Sequence, residues 1–153
     1  MNQDEALKYI HQSNLIEGID SSKEDKQSLV AWNFLKKQSG IAPATLFTLH
    51  RLITQNQLAK HEAGYYRDVN VTVGNRLCPS PHLVPHLMNN YLLDFSKLLD
   101  PIEMHVRYEK IHPWVDGNGR SGRMLLWWHE LKLGKKPTII LNNKKQEYYK
   151  WFK

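Results

Sequence analysis

Apolar residues recur along most of this chain at spacings of three and four, the period of helices that bury one face. N-cap residues such as Ser21, a first-turn proline at Pro43 and glycine stops at Gly18 and Gly40 indicate where these helices begin and end. The pattern predicts seven helices, which run from Asp4 to Ile16, Ser22 to Gly40, Pro43 to Ile53, Leu83 to Leu99, Pro101 to Ile111, Ser121 to Leu133 and Asn142 to Phe152.

One stretch departs from the helical period. Residues 69–73 alternate valine with polar side chains, and Gly74-Asn75 follows, which indicates a strand and a tight turn. No repeat and no low-complexity linker divides the chain. We therefore expect a mainly α fold, a compact core of about seven helices with one small β-hairpin, formed by a single domain over residues 1–153.

The composition is that of an ordinary globular domain. The 153 residues, 18.0 kDa in mass, are 41% hydrophobic and 24% charged, which excludes a disordered chain. Cys78 is the only cysteine, so no intramolecular disulfide can form, and the sequence begins with no signal-peptide pattern. We therefore expect a cytoplasmic protein. The longest apolar run near the middle of the chain, residues 124–128, is far too short to span a bilayer, so we expect no membrane partner.

The positive charge is concentrated near the C-terminal end. The net charge is 21 − 15 = +6, and residues 132–153 supply all of it through Lys132, Lys135, Lys136, Lys144, Lys145, Lys150 and Lys153 against one glutamate. The simplest interpretation is a solvated face whose interleaved aromatic residues point toward the core. The alternatives are a nucleic-acid surface and a field that attracts a polyanionic small molecule such as a nucleotide. We do not expect nucleic acid to be the partner.

Residues 112–123, His-Pro-Trp-Val-Asp-Gly-Asn-Gly-Arg-Ser-Gly-Arg, carry the candidate chemistry. Pro113 disfavours helical backbone at His112, which predicts that one helix ends there with the imidazole at its terminus. The glycine-rich loop then leads into the next predicted helix, and a helix N-terminus offers free N–H groups to an anion. Arg120 and Arg123 place two cations at an already positive helix end, which is unfavourable unless an anion binds there.

Two further side chains complete a site suited to phosphoryl or nucleotidyl transfer. Asp116 beside bound phosphates is suited to hold Mg²⁺, and the imidazole of His112 is suited to accept a proton near neutral pH. The loop has neither the P-loop nor the Rossmann glycine pattern. Two alternatives stay open. One is a structural turn without a ligand; the other is a metal site on Glu109 and His112, which lacks the second Glu-x-x-His of di-iron bundles.

The same segment resembles the signature of Fic-domain proteins, His-x-Phe-x-Asp/Glu-Gly-Asn-Gly-Arg-x-x-Arg, with Trp114 in place of the usual phenylalanine. The resemblance extends over about residues 13–152. Ala-Gly-Tyr-Tyr-Arg at 63–67, followed by the alternating valines, resembles the flap hairpin of the family, and residues 139–152 resemble its last core helix. The resemblance implies a mainly α-helical fold and transfer of AMP from ATP to a Ser, Thr or Tyr hydroxyl of a target protein, and it allows self-modification.

The resemblance also implies roles for individual residues. His112 would be the general base, and Asp116 would hold Mg²⁺ against the α- and β-phosphates. The nucleotide would be bound by Gly117, Asn118, Gly119, Arg120, Arg123 and Tyr149, the last beside the base, where Tyr148 is a second candidate. The flap made of Val69, Asn70, Val71, Thr72 and Val73 would hold the backbone of the target as an added strand.

A second motif lies near the N-terminus. The sequence Ser-Asn-Leu-Ile-Glu-Gly resembles the inhibitory Ser/Thr-x-x-x-Glu-Gly/Asn of the same family, which assigns Ser13, Glu17 and Gly18 to an inhibitory helix over residues 3–18. Glu17 would pair with Arg123 and block the γ-phosphate, since carboxylate and phosphate compete for one guanidinium. The resemblance thus implies a self-inhibited protein adenylyltransferase. The alternatives are removal of AMP from a modified target at the same site, and a nucleotide- or nucleic-acid-binding module without catalysis.

Overall fold

The computed structural model describes every residue from Met1 to Lys153 and contains seven α-helices and one two-stranded hairpin. The helices are α1 (Gln3–Ile16), α2 (Ser22–Leu35), α3 (Pro43–Thr54), α4 (Val84–Phe95), α5 (Pro101–Ile111), α6 (Asn118–Lys132) and α7 (Lys145–Tyr149). The antiparallel strands are β1 (Thr72–Val73) and β2 (Arg76–Leu77), with Thr72 opposite Leu77 and Val73 opposite Arg76. Short 3₁₀ turns cover Pro81–Leu83, Asn142–Lys144 and Lys150–Phe152. The predicted fold class and the single hairpin are confirmed.

Helix α6 is the central element of the fold. Twelve of its 15 residues are buried, and it packs against α1, α2, α3 and α5. The polar residues of its first turn belong to the candidate site, and the apolar residues that follow belong to the hydrophobic core. Its Trp127 joins Trp32 and Trp114 in the main hydrophobic cluster of 21 buried residues. None of the seven helices combines the length and the apolar character needed to cross a membrane.

Local backbone chemistry sets the helix ends that border the site. The side chains of Asn2, Ser21 and Asp100 accept hydrogen bonds from first-turn N–H groups of α1, α2 and α5, and each such cap is worth ~1 kcal/mol. Helix α1 ends at Ile16, and Gly18 then reverses the chain with a φ of 75°, which glycine adopts at little cost.

The start of α6 and the end of α4 differ from the sequence-based expectation. Helix α6 begins at Asn118, three residues ahead of the predicted start, because Gly117 caps it directly with a φ of 84°. Helix α4 ends at Phe95 rather than four residues later, because the chain turns through Leu98 at a φ of 50° before Asp100 caps α5. The earlier start of α6 brings the glycine loop and the helix N-terminus together without an intervening segment.

Three other elements are shorter than predicted. Helix α2 ends at Leu35, and of the predicted strand 69–73 only Thr72 and Val73 join the ladder, since Val69 lies in a bend. Residues 142–152 form α7 between two 3₁₀ turns instead of one continuous helix. Most of the lysines in this region are exposed while Tyr148 is buried, so the cationic side faces solvent and the tyrosine faces the core.

Candidate active site

The loop between α5 and α6 ends in a helix N-terminus with unused donors. Gly117 caps α6 in the left-handed region, and a Cβ there would lie 2.7 Å from Cγ2 of Thr54, so only glycine fits. The backbone N–H groups of Asn118, Gly119 and Arg120 have no hydrogen-bond acceptor in the chain. Three N–H groups that converge at the positive end of a helix form a site for an anion.

The Asn118 side chain braces this loop instead of facing a ligand. Its Oδ1 accepts from the backbone N–H of Trp114 at 2.9 Å, and its Nδ2 donates to the Trp114 carbonyl at the same distance. The predicted contribution of Asn118 to anion binding therefore falls to its backbone N–H, because both ends of its amide are already used.

A relay of hydroxyl groups connects the loop to the two helices that flank it. The indole N–H of Trp114 donates to the Tyr108 hydroxyl at 2.6 Å, and that hydroxyl lies 2.7 Å from Oγ of Ser121, which donates to the Gly117 carbonyl. Trp114 is fully buried and acts as an aromatic anchor. Nothing in the spacing of Tyr108 and Ser121 indicates this contact beforehand.

His50, on α3, supports the loop from the other side. Its ring stacks on the Trp114 indole with centroids 4.1 Å apart. Its Nδ1 accepts from the backbone N–H of Gly64 and its Nε2 lies 2.8 Å from the Asp116 carbonyl, which fixes the tautomer with the proton on Nε2. Burial lowers the pKa of His50 to about 4, so the ring stays neutral. Helical periodicity identifies His50 only as a residue beside the apolar face.

His112 lies where the sequence predicts, at the end of α5. It is the C-cap of the helix, in the left-handed region with φ 54° and ψ 64°. Its Nδ1 lies 3.3 Å from the Glu109 carbonyl, and its Nε2 has no partner in the chain. Burial lowers the pKa of His112 below that of free histidine. A neutral imidazole with a free Nε2 can accept a proton.

The two arginines near the start of α6 have different environments. Arg120 is 2% exposed; its Nη1 donates to Gln57 at 2.8 Å, its Nη2 lies 3.7 Å from the Asp116 carboxylate, and its Nε and Nη2 have no hydrogen-bond acceptor. Buried donors without acceptors are costly, ~1–3 kcal/mol each. A bound anion would supply the acceptors that these side-chain donors and the three free N–H groups lack.

Arg123, by contrast, is bound by residues of the N-terminal helix and of the turn that ends it. Its Nε donates to the Ser13 hydroxyl at 2.7 Å, and its Nη2 donates to the Ser13 carbonyl at 3.0 Å and to Glu17 at 2.6 Å. The guanidinium also lies 5.6 Å from the centre of the Tyr148 ring. The structure thus brings together residues more than one hundred positions apart in the chain, as the resemblance implied.

The Glu17 carboxylate rests directly on the start of α6. A Cβ at Gly119 would overlap Oε1 of Glu17 and would lie 2.8 Å from Nη1 of Arg123. Glycine at this position therefore allows the ion pair to contact the helix backbone. Gly18 makes no such contact, and its part is to end α1 behind Glu17.

An open cleft of about 780 Å³ lies between the hairpin, α1, α5, α6 and the C-terminal segment. It is lined by Glu17, Val73, Gly74, Asn75, Arg76, Glu109, His112, Gly119, Arg123, Tyr148, Tyr149, Phe152 and Lys153. The predicted base, the second arginine, the flap tip and Tyr149 therefore share one cavity. Asp116 and Arg120 are not part of its lining, and the side chain of Asp116 is 66% exposed.

Asp116, the residue that the resemblance assigns to Mg²⁺, offers its two carboxylate oxygens to a metal ion. Its Oδ1 accepts from the backbone N–H of Gly117 at 2.7 Å, and its Oδ2 lies 3.7 Å from Nη2 of Arg120 on a largely exposed side chain. No group of three or more His, Cys, Asp or Glu side chains is arranged to hold a metal alone. One carboxylate beside a phosphate site is nonetheless a donor set that fits Mg²⁺, which takes its other ligands from phosphates and water.

The predicted flap residues lie along one arm of the hairpin. Val69 and Val73 are 49% and 42% exposed, and Asn70 and Thr72 are exposed as well. The Val71 carbonyl accepts from Cys78 N at 3.0 Å, so pairing continues one residue beyond the ladder. The outer edge of β1 has no neighbouring strand.

Known proteins are similar to this chain in sequence and in fold. The chain is 28% identical over 152 residues to a protein adenylyltransferase Fic of Nematostella vectensis, covering 94% of this chain and 34% of that protein. The adenylyltransferase Fic of Drosophila melanogaster is also 28% identical, over 100% of this chain and 28% of its own length. The chain thus spans about a third of the length of the curated relatives it matches.

Two solved structures have the same architecture. A Fic domain containing signaling protein from Bacteroides thetaiotaomicron superposes with a TM-score of 0.80 at 23% identity, covering 97% of this chain and 71% of that one. Fic-1 (residues 134–508) from C. elegans gives a TM-score of 0.76 at 22% identity, covering 98% and 55%. The sequence model of the Fic/DOC family matches residues 40–129, more than half of the chain. The chain belongs to the Fic/DOC family.

Proposed function

We propose that this chain is a protein adenylyltransferase, which moves AMP from ATP to a Ser, Thr or Tyr hydroxyl of a target protein. The observation that carries the proposal is the set of donors without acceptors at the start of α6, Nε and Nη2 of Arg120 together with three backbone N–H groups. Gly119, in the first turn of this helix, lines the same cleft as the free imidazole of His112. The curated relatives named protein adenylyltransferase support the same reaction class.

In the proposed reaction the free Nε2 of His112 takes the proton of the target hydroxyl. The hydroxyl oxygen then forms a bond to the α-phosphorus, and the bond from that phosphorus to the bridging oxygen breaks to release pyrophosphate. The N–H groups of α6 and the Arg120 guanidinium meet the charge on the phosphate oxygens, where preorganised donors act most strongly. Asp116 would hold Mg²⁺, which neutralises phosphate charge when bound.

We also propose that Glu17 inhibits the transfer. The γ-phosphate needs the guanidinium of Arg123, and that guanidinium is 1% exposed and already bound to Glu17 and Ser13. An ATP molecule can place its γ-phosphate there only when the carboxylate has left. Two anions that compete for one buried cation give mutually exclusive states.

The hairpin is the proposed docking site for the target. Its β1 edge is unpaired and its tip lines the cleft that holds His112. A target segment added as a strand would gain backbone hydrogen bonds without a sequence requirement, and it would bring a hydroxyl into that cleft. Tyr149, 39% exposed in the same cleft, is the proposed contact to the base.

The proposal is tested with ATP labelled on its α-phosphate. We expect little self-labelling of the parent chain, strong labelling of Glu17→Gly, and none of the Glu17→Gly/His112→Ala double variant. Equal labelling of the single and double variants would show that His112 is not the base. No labelling of Glu17→Gly by ATP with Mg²⁺ would refute the transferase proposal.

Removal of AMP from a modified protein is a second candidate, favoured by one observation. The Glu17 carboxylate lines the same cleft as His112, where it could orient a water molecule. Incubation of the parent chain with an AMPylated protein distinguishes the two directions, since only this candidate predicts release of AMP that depends on Glu17.

Binding without catalysis is a third candidate and rests on the exposed lysines near the C-terminus. It predicts affinity for nucleic acid that falls steeply with salt concentration. The free Nε2 of His112 has no purpose in that case, which is why we rank the transferase first.

A further inference from the structure

Arg67 is a buried cation that the proposed chemistry does not use. It is 3% exposed and has no carboxylate partner. Its guanidinium donates instead to four backbone carbonyls, those of His112, Val69, Pro79 and Ile111, at 2.6, 2.9, 2.7 and 3.2 Å respectively. Buried cations usually pair with acids. Because this guanidinium donates only to backbone carbonyls, we expect its role to be to hold backbone segments in place.

One part of this task concerns the end of α5. The Ile111 and His112 carbonyls are among the last of the helix and have no partner within it, and a cation there also complements the negative helix end. The backbone N–H of Arg67 donates to the Pro113 carbonyl at 2.9 Å. A single residue therefore holds three successive carbonyls where the helix ends.

These bonds hold His112 in an uncommon conformation. A residue with a side chain costs about 1–2 kcal/mol in the left-handed region, and it stays there only when its surroundings enforce it. The 2.6 Å bond from Nε of Arg67 to the His112 carbonyl is such a constraint. Because the backbone of His112 sets the direction of its side chain, Arg67 also sets where the imidazole points.

The other part of the task concerns the hairpin. Val69 and Pro79 lie on opposite arms of it, and both carbonyls accept from the same guanidinium. Arg67 therefore ties the two arms to each other and ties both of them to His112. The bonds to Val69, Pro79 and His112 are 2.9 Å or shorter, and the planar guanidinium is rigid. The hairpin and the backbone of His112 are therefore held in a fixed relative position.

We propose that Arg67 is a positioning residue that couples the hairpin to the imidazole of His112. A target segment on the hairpin and the base that takes its proton then keep one fixed geometry. The proposal rests on the proposed function for its effect on rate, although the Arg67–His112 link itself can be measured without any activity.

Lysine at position 67 separates charge from geometry. Arg67→Lys keeps the positive charge but offers a single ammonium in place of the planar fork, so it cannot reach four carbonyls on three segments. Arg107→Lys is the matched control, because Arg107 is an arginine on α5 whose guanidinium binds the Asp94 carboxylate and touches neither hairpin nor His112.

The experiment compares both variants in the Glu17→Gly background. The first readout is the ring Cε1–H resonance of His112, identified by its loss in His112→Ala. The second is calorimetric ATP affinity, and the third is the rate of AMP transfer. For Arg67→Lys we expect a shifted and broadened His112 resonance, an ATP affinity changed by less than about twofold, and a transfer rate lower by about 10- to 100-fold. For Arg107→Lys we expect no change in any of the three.

Two results would overturn the proposal. One is an Arg67→Lys protein with an unchanged His112 resonance and the transfer rate of its parent. The other is a rate that falls only in proportion to the unfolded fraction, with the His112 resonance of the folded fraction unchanged. If Arg67→Lys does not fold, Arg67→Gln undergoes the same comparison, since its amide can still donate to two carbonyls. If no variant transfers AMP, the proposed function fails while the resonance still decides the role of Arg67.

Discussion

The indole N–H of Trp114 donates to the Tyr108 hydroxyl at 2.6 Å, and both side chains are fully buried. The family signature that this chain resembles has phenylalanine at this position, which has no donor. The tryptophan therefore adds a hydrogen bond between the loop and α5, and through the Tyr108 hydroxyl it reaches Ser121 on α6.

Removal of the Tyr108 hydroxyl and removal of the Trp114 indole N–H should lower the free energy of unfolding by different amounts. Tyr108→Phe leaves the indole N–H buried without an acceptor, at a cost of ~1–3 kcal/mol, whereas Trp114→Phe leaves Tyr108 still bonded to Ser121. We expect the double variant to be more stable than the sum of the two single losses predicts, by ~1 kcal/mol. Urea unfolding of the four proteins measures this coupling, and strictly additive losses would show that the hydrogen bond contributes nothing.

Gly117 should be the least replaceable glycine of the loop. A Cβ there would meet Thr54 at 2.7 Å, whereas Gly134 has a similar φ of 71° and nothing within 4 Å of its Cβ position. Gly134→Ala thus measures the backbone strain alone, about 1–2 kcal/mol. We expect Gly117→Ala to lower the melting temperature further and to abolish AMP transfer in the Glu17→Gly background. Equal melting temperatures would contradict the close contact with Thr54.

Ser13 should contribute part of the inhibition ascribed to Glu17. Its hydroxyl accepts from Nε of Arg123, so Ser13→Ala removes one of the bonds that hold the guanidinium toward α1. We expect self-labelling of Ser13→Ala to lie between that of the parent and that of Glu17→Gly, because the Glu17 bond remains. Labelling at the parent level would show that the Ser13 hydroxyl contributes nothing to the inhibition.

The buried carboxyl of Glu109 should make stability depend on pH. Its Oε1 has no hydrogen-bond partner, and burial raises its pKa from 4.5 to about 8. Between these two values the folded chain holds a proton that the unfolded chain releases, so this group lowers the free energy of unfolding as pH rises through that window. Glu109→Gln removes the dependence.

Thermal unfolding at pH values from about 4 to about 8 tests this expectation. We expect Glu109→Gln to be more stable than its parent near the upper end and similar to it near the lower end. Glu103→Gln, an exposed position on the same helix, is the control. A parallel pH profile of the parent and Glu109→Gln would contradict the raised pKa.

The sequence predicts local features of this protein well and distant contacts poorly. Three- and four-residue spacing with caps predicts the helices, and the proline and glycines of residues 112–119 predict the loop, because these effects act within a few residues. The pairing of Glu17 with Arg123 follows only from the resemblance to a family motif. No periodicity joins positions 106 apart.

The supporting residues of the site show the same limit. Arg67 and His50 act on backbone carbonyls 45 and 66 residues away, and a carbonyl is present at every position, so no residue type marks the partner. The hairpin is short and α4 ends early because of side chains and turns that come after these two elements. The hydrophobic pattern inside each element carries no information about them.

We propose above all that the pocket at the start of α6 transfers AMP once Glu17 is removed. Intact-mass analysis of Glu17→Gly after incubation with ATP and Mg²⁺, and separately with each other nucleoside triphosphate, tests it most directly. We predict a gain equal to one or more AMP groups with ATP, and no gain for Glu17→Gly/His112→Ala. An unchanged mass with every nucleotide, or a gain that persists without His112, would contradict it.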